Sequence, residues 1–418
     1  MSWSEGEPIR VGVLGAGGLG KAAAGIISLK RELRLVAICD SRGVVASPEG
    51  VDGELVARVS GDLVEGYRAL REGDSAVPDG GGVEPPGQAQ GSPSVVLRLA
   101  SSLDFARDCP ERGRRPSRRT LAQDDPSTRL GRHPERGVPP PMAGDPSRGV
   151  ATAIEAWHCD DPLGELLASA AETLDALLVT LPNLPNEFIP SVVERVATAQ
   201  VPLVLVDVLK RTRAVEQMFV LDPLVKQAHS VVLTGCGATP GLLAAAAVLA
   251  AQSFIEVEKV EIWWGVGIAN WDAYKATIRE DIAHLQGYTV ERAKAMTDAQ
   301  IEALLEQTHG LLELRHMEHA DDLLLQRVGV VDSREQVDVG GVMDTRHPKK
   351  PVSTTMTLTG ITFEGKRSSH TFTLGDETTM AANVIGPALG YLKRGLWLKA
   401  HGLFGVFGST EFLPMMVR

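Results

Sequence analysis

The chain has 418 residues, of which 44% are hydrophobic, 23% are charged and 5% are aromatic, and its formal net charge is −11. This length predicts two or three domains, with enough apolar material for packed cores. The acidic balance and the scarcity of aromatic residues argue against nucleic-acid binding, which needs a basic face and stacking platforms. The apolar runs are too short to span a membrane.

The cysteines and the N-terminus indicate a cytoplasmic protein. The cysteines lie far apart and form no CxxC pair, so we expect no zinc knuckle, redox dithiol or disulfide scaffold. The first ten residues contain two acids and no apolar core, unlike a secretory signal. We therefore expect no bound metal and neither a membrane nor a nucleic acid as partner.

The first predicted strand, residues 9–14, leads directly into a glycine-rich turn and an alanine-rich helix. This order is the context in which a G-x-G-x-x-G pattern binds a dinucleotide. The first glycine permits a tight turn, the second lets the backbone approach a pyrophosphate, and the third lets the helix pack against the strand. The free N–H groups of the helix N-terminus then face the phosphates. The six residues of the turn are Gly15, Ala16, Gly17, Gly18, Leu19 and Gly20.

A second apolar run, residues 33–39, ends in Asp40, which lies 20 residues after Gly20. An acid at this distance binds the ribose 2′-hydroxyl of NAD and repels the 2′-phosphate of NADP. Ser41 and Arg42 follow directly, and an arginine at this place either pairs with that phosphate or is a solvated turn residue. The sequence therefore predicts a site for NAD or NADP without deciding between them.

Residues 74–148 differ in composition from the rest of the chain. They contain 12 of the 25 prolines and 11 arginines but no lysine, and no helical or strand period runs through them. Such a segment buries too little apolar surface to offset the entropy lost on ordering. We expect it to be a disordered insertion in the first domain.

Strands and helices alternate again after the insertion, which predicts a Rossmann-type, doubly wound parallel sheet. The predicted strands cover residues 175–181, 201–208 and 230–234, and the predicted helices cover 187–199, 212–228 and a stretch from 242. Ligands bind beyond the carboxyl ends of the strands in such sheets. This rule adds Pro182 and Asn183 to the candidate cofactor site and places Lys210 at the same edge.

The pattern changes from about Glu256, and the strand-like runs that follow, with a predicted hairpin over residues 354–374, favour a mostly antiparallel sheet. We therefore expect an α/β fold with a second, α+β domain for substrate binding or oligomerisation. The predicted first domain comprises residues 1–73 and 149–250, and the second comprises 251–375. A helical segment, 376–418, is expected to return to the first domain.

Two families resemble parts of the chain. The N-terminal portion resembles the cofactor domain of homoserine dehydrogenases, in VGVLGAGGLG and in LVAICDSRGVVASPEGVD. The remainder resembles a cyanobacterial-type branch of the saccharopine dehydrogenase-like oxidoreductases, in TGCGATPGLLAAAA and in a longer stretch over residues 344–384. The second resemblance implies hydride transfer between NAD or NADP and a carbon–nitrogen bond of a small, amino-acid-like substrate that bears a carboxylate.

Two other functions stay open at this point. The DSRG…PEG stretch also fits a carbon–oxygen dehydrogenase of the homoserine type. A non-catalytic dinucleotide-binding sensor or assembly factor is the other alternative, because no catalytic acid or base is unmistakable. In each case we expect a homodimer.

Four residues are candidates for the chemistry. In homoserine dehydrogenases a lysine at a similar strand end faces the nicotinamide and the substrate, which implies that Lys210 orients the substrate or carries a proton, with Asp207 as its partner. The alternative is a solvated lysine at the start of a helix. Arg346 and His347 lie in the DTRHPKK stretch and are candidates for a carboxylate clamp and a general acid. The alternative there is a solvated hairpin end.

A further pair of histidines, His316 and His319, has the i, i+3 spacing of one helix face. Two histidines at this spacing can bind a metal. No general-base glutamate pattern accompanies them, so we interpret the pair as part of a polar helix surface.

Overall fold

The computed structural model describes residues 6–75, 155–170, 173–183, 185–268, 275–375 and 379–418. The expected disordered insertion lies outside the described residues, except for Asp74 and Ser75, which end a helix. Both sheets described below belong to one compact unit, which comprises residues 1–77 and 151–418.

The strands in chain order are β1 (Ile9–Leu14), β2 (Leu33–Cys39), β3 (Gly43–Ala46), β4 (Glu155–His158), β5 (Ala176–Val179), β6 (Val204–Asp207), β7 (Val231–Thr234), β8 (Phe254–Gly267), β9 (Leu311–Leu314), β10 (Val337–Asp344), β11 (Thr354–Thr362), β12 (Arg367–Leu374) and β13 (Gly405–Gly408). The helices are α1 (Gly18–Ser28), α2 (Gly53–Arg58), α3 (Leu63–Ser75), α4 (Pro162–Ala170), α5 (Phe188–Thr198), α6 (Thr212–Val220), α7 (Asp222–Gln227), α8 (Leu242–Ala251), α9 (Lys275–Ile282), α10 (Val290–Ala295), α11 (Asp298–Gln307), α12 (Asp321–Arg327) and α13 (Met380–Ala400).

The first sheet has the strand order β13-β7-β6-β5-β1-β2-β3-β4. Its pairs from β13 to β2 are parallel, whereas β3 is antiparallel to both of its neighbours. The chain leaves β1 toward β2 and later returns to β5 on the other side of β1. This reversal creates a crevice at the carboxyl ends of β1 and β5, where doubly wound sheets bind their ligands. The predicted Rossmann-type sheet is confirmed.

The central strands form because their sequences are continuous apolar runs, as expected for parallel strands that are covered on both faces. All four residues of β5, β6 and β7 are buried. Their alternate side chains pack on one face with α1 and α13, and on the other face with α4, α5 and α6. The sheet therefore holds its carboxyl edge, and the loops on that edge, in a rigid frame.

The second sheet has the order β12-β11-β8-β10-β9, and only its β8–β10 pair is parallel. The mostly antiparallel second sheet is therefore also confirmed. Its core includes side chains of α8, α11 and α12. The long helix α13 then packs on the first sheet, where the Tyr391 hydroxyl donates to the carbonyl of Ser409 at 2.8 Å.

The structure differs from the predicted elements in several places. The predicted helix over residues 212–228 is divided at Leu221 into α6 and α7, and the side chain of Thr379 caps α13. The sequence pattern had not indicated β3, β9 or β13, which are short strands of four residues. In the part of the chain that the structure describes, no helix is both long and apolar enough to cross a membrane.

Candidate functional site

A cavity of about 150 Å³ lies at the carboxyl edge of the first sheet. The first half of the chain lines it with Leu19 from the start of α1, Asn183 from the loop after β5 and Lys210 from the loop after β6. The second sheet lines it with residues such as Trp264 and Met343. The cavity thus has a wall from each sheet and lies where the topology predicts a ligand.

The glycine turn leaves an open cradle at the N-terminus of α1. Gly15 has a φ of +105°, a conformation that favours glycine, and a Cβ on Gly20 would lie 1.7 Å from the carbonyl oxygen of Gly15. A Cβ on Gly17 would meet nothing within 4 Å. The first turn of α1 has no acidic residue, and no side chain caps it. The backbone N–H groups in the first turn of α1 and the space beside Gly17 fit a pyrophosphate.

Asp40 ends β2 and shapes the turn that follows. Its Oδ1 accepts hydrogen bonds from the backbone N–H of Arg42 at 2.8 Å and of Gly43 at 3.1 Å. Ser41 and Arg42 are exposed, and the guanidinium of Arg42 lies 3.8 Å from Asp62. The turn therefore presents a half-buried carboxylate and an exposed guanidinium at the carboxyl end of β2.

The loop after β5 connects the glycine turn with the Lys210 loop. The hydroxyl of Thr180 donates to the carbonyls of Leu14 and Gly15, which joins the ends of β1 and β5. Asn183 lines the cavity, and its Oδ1 accepts from the backbone N–H of Lys210 at 3.2 Å. Pro182 is exposed and does not line the cavity.

Lys210 reaches two carboxylates that the sequence did not indicate. Its ammonium donates to Oδ1 of Asp281 at 2.7 Å and lies 3.2 Å from Oε2 of Glu280. Both acids are in α9 and are buried, with 1% and 2% of their surface exposed. Burial by itself would lower the pKa of Lys210, but the two carboxylates outweigh it and raise the pKa above its ordinary value. The ammonium therefore stays charged at neutral pH, and the alternative of a solvated lysine is excluded.

Asp207 does not pair with Lys210, so this predicted partnership is wrong. Its Oδ1 accepts from the backbone N–H of Leu209 and Gly235 and from the hydroxyl of Thr234, at 2.9 to 3.1 Å. Burial raises the pKa of this carboxyl to about 6, although these hydrogen bonds act in the opposite direction. The carboxyl is used to join the ends of β6 and β7, and not to hold the lysine.

Arg211 anchors the segment beside Lys210. It is 5% exposed, donates to Oδ1 of Asn186 at 2.8 Å and forms an ion pair with Glu318. Its Nη1 lies 3.3 Å from Nε2 of His284. Burial, together with the neighbouring charges of Lys210 and Arg211, lowers the pKa of His284 to about 3. This histidine is therefore neutral at ordinary pH and can accept from the arginine.

His319 lines the same cavity and is only 3% exposed. Its Nδ1 lies 2.7 Å from Oδ2 of Asp321, off the axis of a hydrogen bond. The hydroxyl of Thr239, another lining residue, donates to the same oxygen at 2.7 Å. The interpretation of His316 and His319 as a polar helix surface is wrong, because residues 315–320 form a loop between β9 and α12. Only His316 is exposed, and among the described residues no group of three or more His, Cys, Asp or Glu could hold a metal.

Arg346 and His347 lie away from the cavity. The guanidinium of Arg346 pairs with Glu302 at 2.7 Å, and the ring of His347 is 72% exposed with Nδ1 2.9 Å from Asp344. Neither lines the cavity. The structure thus brings Leu19, Asn183 and Lys210 together and leaves this pair at a solvated loop.

The solved structures that this chain resembles are distant. It is similar to an engineered D-amino acid dehydrogenase bound to NADP⁺, with 14% identity, 97% of this chain and 94% of that chain covered, and a TM-score of 0.47. It is also similar to the C. glutamicum DAP dehydrogenase in complex with DAP, with 14% identity, coverage of 96% and 93%, and a TM-score of 0.47. These similarities are too low to assign an activity, and no protein-family model matches the chain.

A curated relative corrects the expected family. It is the protein of Haloferax mediterranei named (S)-8-amino-7-oxononanoate synthase BioU, which is 38% identical over 409 residues, with 98% of this chain and 99% of the relative covered. The resemblance to saccharopine dehydrogenase-like oxidoreductases with a homoserine-dehydrogenase-like cofactor domain is therefore wrong. It rested on short motifs, and such motifs at strand ends follow the fold more closely than the function. The match over nearly the whole length of both proteins shows that this chain belongs to the BioU family.

Proposed function

We propose that this chain is an NAD- or NADP-dependent enzyme that acts at a carbon–nitrogen bond of a small amino ketone bearing a carboxylate, of the class to which 8-amino-7-oxononanoate belongs. The observation that carries the proposal is the cavity between the glycine cradle and Lys210, at the carboxyl edge of the first sheet. The relative's name supplies the substrate class.

The cofactor part of the proposal is supported by the cradle at α1. Gly17 offers open space beside the N-terminus of α1, which no side chain caps, and Asp40 and Arg42 occupy the turn that contacts the adenosine ribose in such folds. Leu19 belongs both to the cradle and to the cavity lining, so a nucleotide on the cradle would extend toward Lys210. When bound, the cofactor would supply or accept hydride.

The cavity wall suits the alkyl part of such a substrate. An 8-amino-7-oxononanoate molecule carries its amino ketone at one end of an alkyl chain and its carboxylate at the other. The lining contains apolar side chains from both halves of the chain, including Val208, Trp264, Met317 and Met343. Apolar walls with a few convergent polar groups are typical of small-molecule sites.

The polar groups of the cavity suit the amino ketone. Lys210 is a fixed cation that can donate to the oxygen or nitrogen of the reacting double bond, because its own charge is maintained by Asp281 and Glu280. Asp281 lines the cavity and is able to accept from an amino group of the substrate. In this proposal Lys210 orients the substrate, and the two acids position Lys210.

The test is an assay of the purified chain with NADH or NADPH, or their oxidised forms, and (S)-8-amino-7-oxononanoate, followed by the absorbance of the reduced nicotinamide. We expect turnover, and we expect Lys210→Met to abolish it without loss of cofactor binding. Lys226→Met is the matched control, because Lys226 forms an exposed ion pair with Asp222 on α7.

Two results would contradict the proposal. Turnover with aspartate semialdehyde and not with the amino ketone would favour a carbon–oxygen dehydrogenase. Tight cofactor binding without turnover of either compound would favour a non-catalytic dinucleotide-binding protein.

A further inference from the structure

We propose that His319 is the acid–base residue of the cavity and that Asp321 positions it. The inference rests on the proposed function. When a hydride is added to the carbon of a C=N or C=O group, one proton is added to the nitrogen or oxygen. The reverse reaction removes the hydride from carbon and the proton from nitrogen or oxygen. His319 would give this proton in the reducing direction and recover it from solvent, and would take it in the reverse direction.

The chain holds His319 beside Lys210. The backbone N–H of Ala320 donates to the carbonyl of Lys210 at 2.8 Å, so the residue after His319 is hydrogen-bonded to the Lys210 loop. The backbone N–H of Met317 donates to Val339 of β10 at 2.9 Å. The loop that carries His319 is thus fixed to both sheets, and its imidazole lines the cavity together with the lysine.

Asp321 is arranged to hold the imidazole. It is fully buried, and its Oδ2 lies 2.7 Å from Nδ1 of His319 and accepts from Thr239. A buried carboxylate at one ring nitrogen fixes the ring's orientation, so that the other ring nitrogen can face a substrate. Among the described residues, Asp321 is the carboxylate that pairs with the His319 ring.

Lys210 is a poor proton donor at neutral pH, because its pKa is raised. Asp281 and Glu280 keep its ammonium charged, because they raise its pKa in spite of burial. His284, a half-buried imidazole near the lysine, is kept neutral by burial and by the charges of Lys210 and Arg211, and its Nε2 lies 3.3 Å from Nη1 of that arginine. His319 is therefore the imidazole that combines a place in the lining with a carboxylate partner.

The sequence provides a matched control. His316, three residues earlier, also has a carboxylate partner, with Nδ1 2.9 Å from Asp338, but its ring is 80% exposed and outside the cavity. A general effect of losing a histidine–carboxylate pair would appear in both variants. An acid–base role would appear only in His319→Gln.

The experiment measures kcat and the dissociation constant of (S)-8-amino-7-oxononanoate for wild type, His319→Gln, Asp321→Asn and His316→Gln. We expect His319→Gln to lower kcat about 100-fold or more, with a dissociation constant within threefold of wild type. Asp321→Asn should lower kcat about tenfold, and His316→Gln should leave it unchanged. Added imidazole should restore part of the rate of His319→Ala, which a purely structural role would not allow.

A second readout does not depend on turnover. The imidazole NMR resonance that is missing in His319→Gln identifies His319, and we expect it to move when the substrate is added without cofactor. A resonance that does not move, or a His319→Gln variant that keeps kcat within threefold of an active wild type, would overturn the acid–base role alone. A wild-type protein without turnover would overturn the proposed function and this role with it.

Discussion

Three ionisable side chains near the cavity have shifted pKa values. Burial acts on each pKa, and the neighbouring groups either add to its effect or oppose it. Burial raises the pKa of Asp207 to about 6, and the hydrogen bonds from Gly235, Leu209 and Thr234 oppose this rise without cancelling it. Burial lowers the pKa of His284 to about 3, and the charges of Lys210 and Arg211 act in the same direction. The pKa of Lys210 rises because two carboxylates outweigh its burial. The same low-polarity environment thus produces a neutral imidazole and a permanent cation side by side.

The first prediction at this scale concerns Asp207→Asn. The folded-state pKa of about 6 lies above the ordinary value of 3.8, so the folded protein binds this proton more tightly than the unfolded chain. The carboxyl therefore lowers stability as the pH rises from about 4 to about 6, by roughly 3 kcal/mol in total. Asparagine keeps the Oδ1 acceptor and removes the titration. The melting temperature of the variant minus that of wild type should be larger at about pH 8 than at about pH 4. A difference that does not vary with pH would contradict this.

The second prediction concerns His284→Gln. The folded-state pKa of about 3 lies below the ordinary value of 6.5, so the unfolded chain takes up this proton first. The contribution of His284 to stability is complete above pH 6.5 and is lost as the pH falls from about 6.5 toward 3. Melting temperatures over this range should fall less steeply for the variant than for wild type. His316→Gln, which changes an exposed ring, should keep the wild-type slope.

Among the elements, the N-terminus of α1 contributes most to the proposed cofactor site. Gly20 is packed against the carbonyl of Gly15, whereas Gly17 faces open space. The two glycines of one motif therefore differ in their surroundings: Gly20 is needed for close packing, whereas Gly17 leaves open the space that the proposed cofactor would occupy. Substitutions at the two positions separate these effects.

We expect Gly17→Val to leave the melting temperature nearly unchanged and to weaken cofactor binding at least about tenfold, because its side chain would fill the space for the pyrophosphate. Gly20→Ala should instead lower stability by about 1–3 kcal/mol, because its Cβ would overlap the carbonyl of Gly15. Thermal unfolding and calorimetric titration with NADH and NADPH measure both effects. Normal binding by Gly17→Val would show that the nucleotide lies elsewhere.

The turn at the end of β2 carries the next prediction. Asp40→Ala should weaken NAD binding by about 1–3 kcal/mol more than NADP binding, if the carboxylate holds the ribose hydroxyls. Arg42→Ala should weaken only NADP, because its exposed guanidinium would otherwise pair with the 2′-phosphate. Both dissociation constants are measured for each variant. Equal weakening of the two cofactors by Asp40→Ala would mean that this residue only shapes the turn through its bonds to Arg42 and Gly43.

At the scale of the whole molecule, the two sheets complete one cavity. The first sheet supplies Lys210 and the glycine turn, whereas helix α9 and the loop before α12 supply Asp281 and His319. Lys210 and Asp281 are 71 residues apart in sequence. The site therefore exists only when both parts of the compact unit have folded together.

This architecture also predicts the effect of removing residues 78–150 and joining the ends with a short Gly/Ser bridge. On one side of the gap α3 runs to Ser75, and on the other β4 pairs with β3. Arg68 of α3 donates to the carbonyl of Ala156 in β4, so both sides are attached to one sheet edge. Loop shortening changes the closure entropy by only about 0.6 kcal/mol per halving of length.

The shortened protein should keep the melting temperature and the cofactor dissociation constants of the full chain. Thermal unfolding and titration with NADH and NADPH test this. A tenfold weaker binding with an unchanged melting temperature would show that the removed residues contribute to the site.

The sequence by itself determined those parts of the protein that depend on residues close together along the chain. Buried parallel strands read as apolar runs, and the tight turn at Gly15 and the close packing at Gly20 require glycine within one short stretch. These signals are local, so they predicted both the Rossmann-type sheet and the candidate cradle. The hairpin of β11 and β12 was predictable for the same reason.

Only the tertiary structure decided which polar side chains meet in the cavity. The local sequence does not indicate which distant lysine an acid in a helix contacts, so Asp281 could not be recognised. Asp207 is near Lys210 in sequence, but its carboxylate binds Thr234 instead. His316 and His319 look equivalent in the sequence, yet one ring is 80% exposed and the other lines the cavity beside Asp321. Burial and long-range contacts, which separate these residues, arise only when the two sheets pack together.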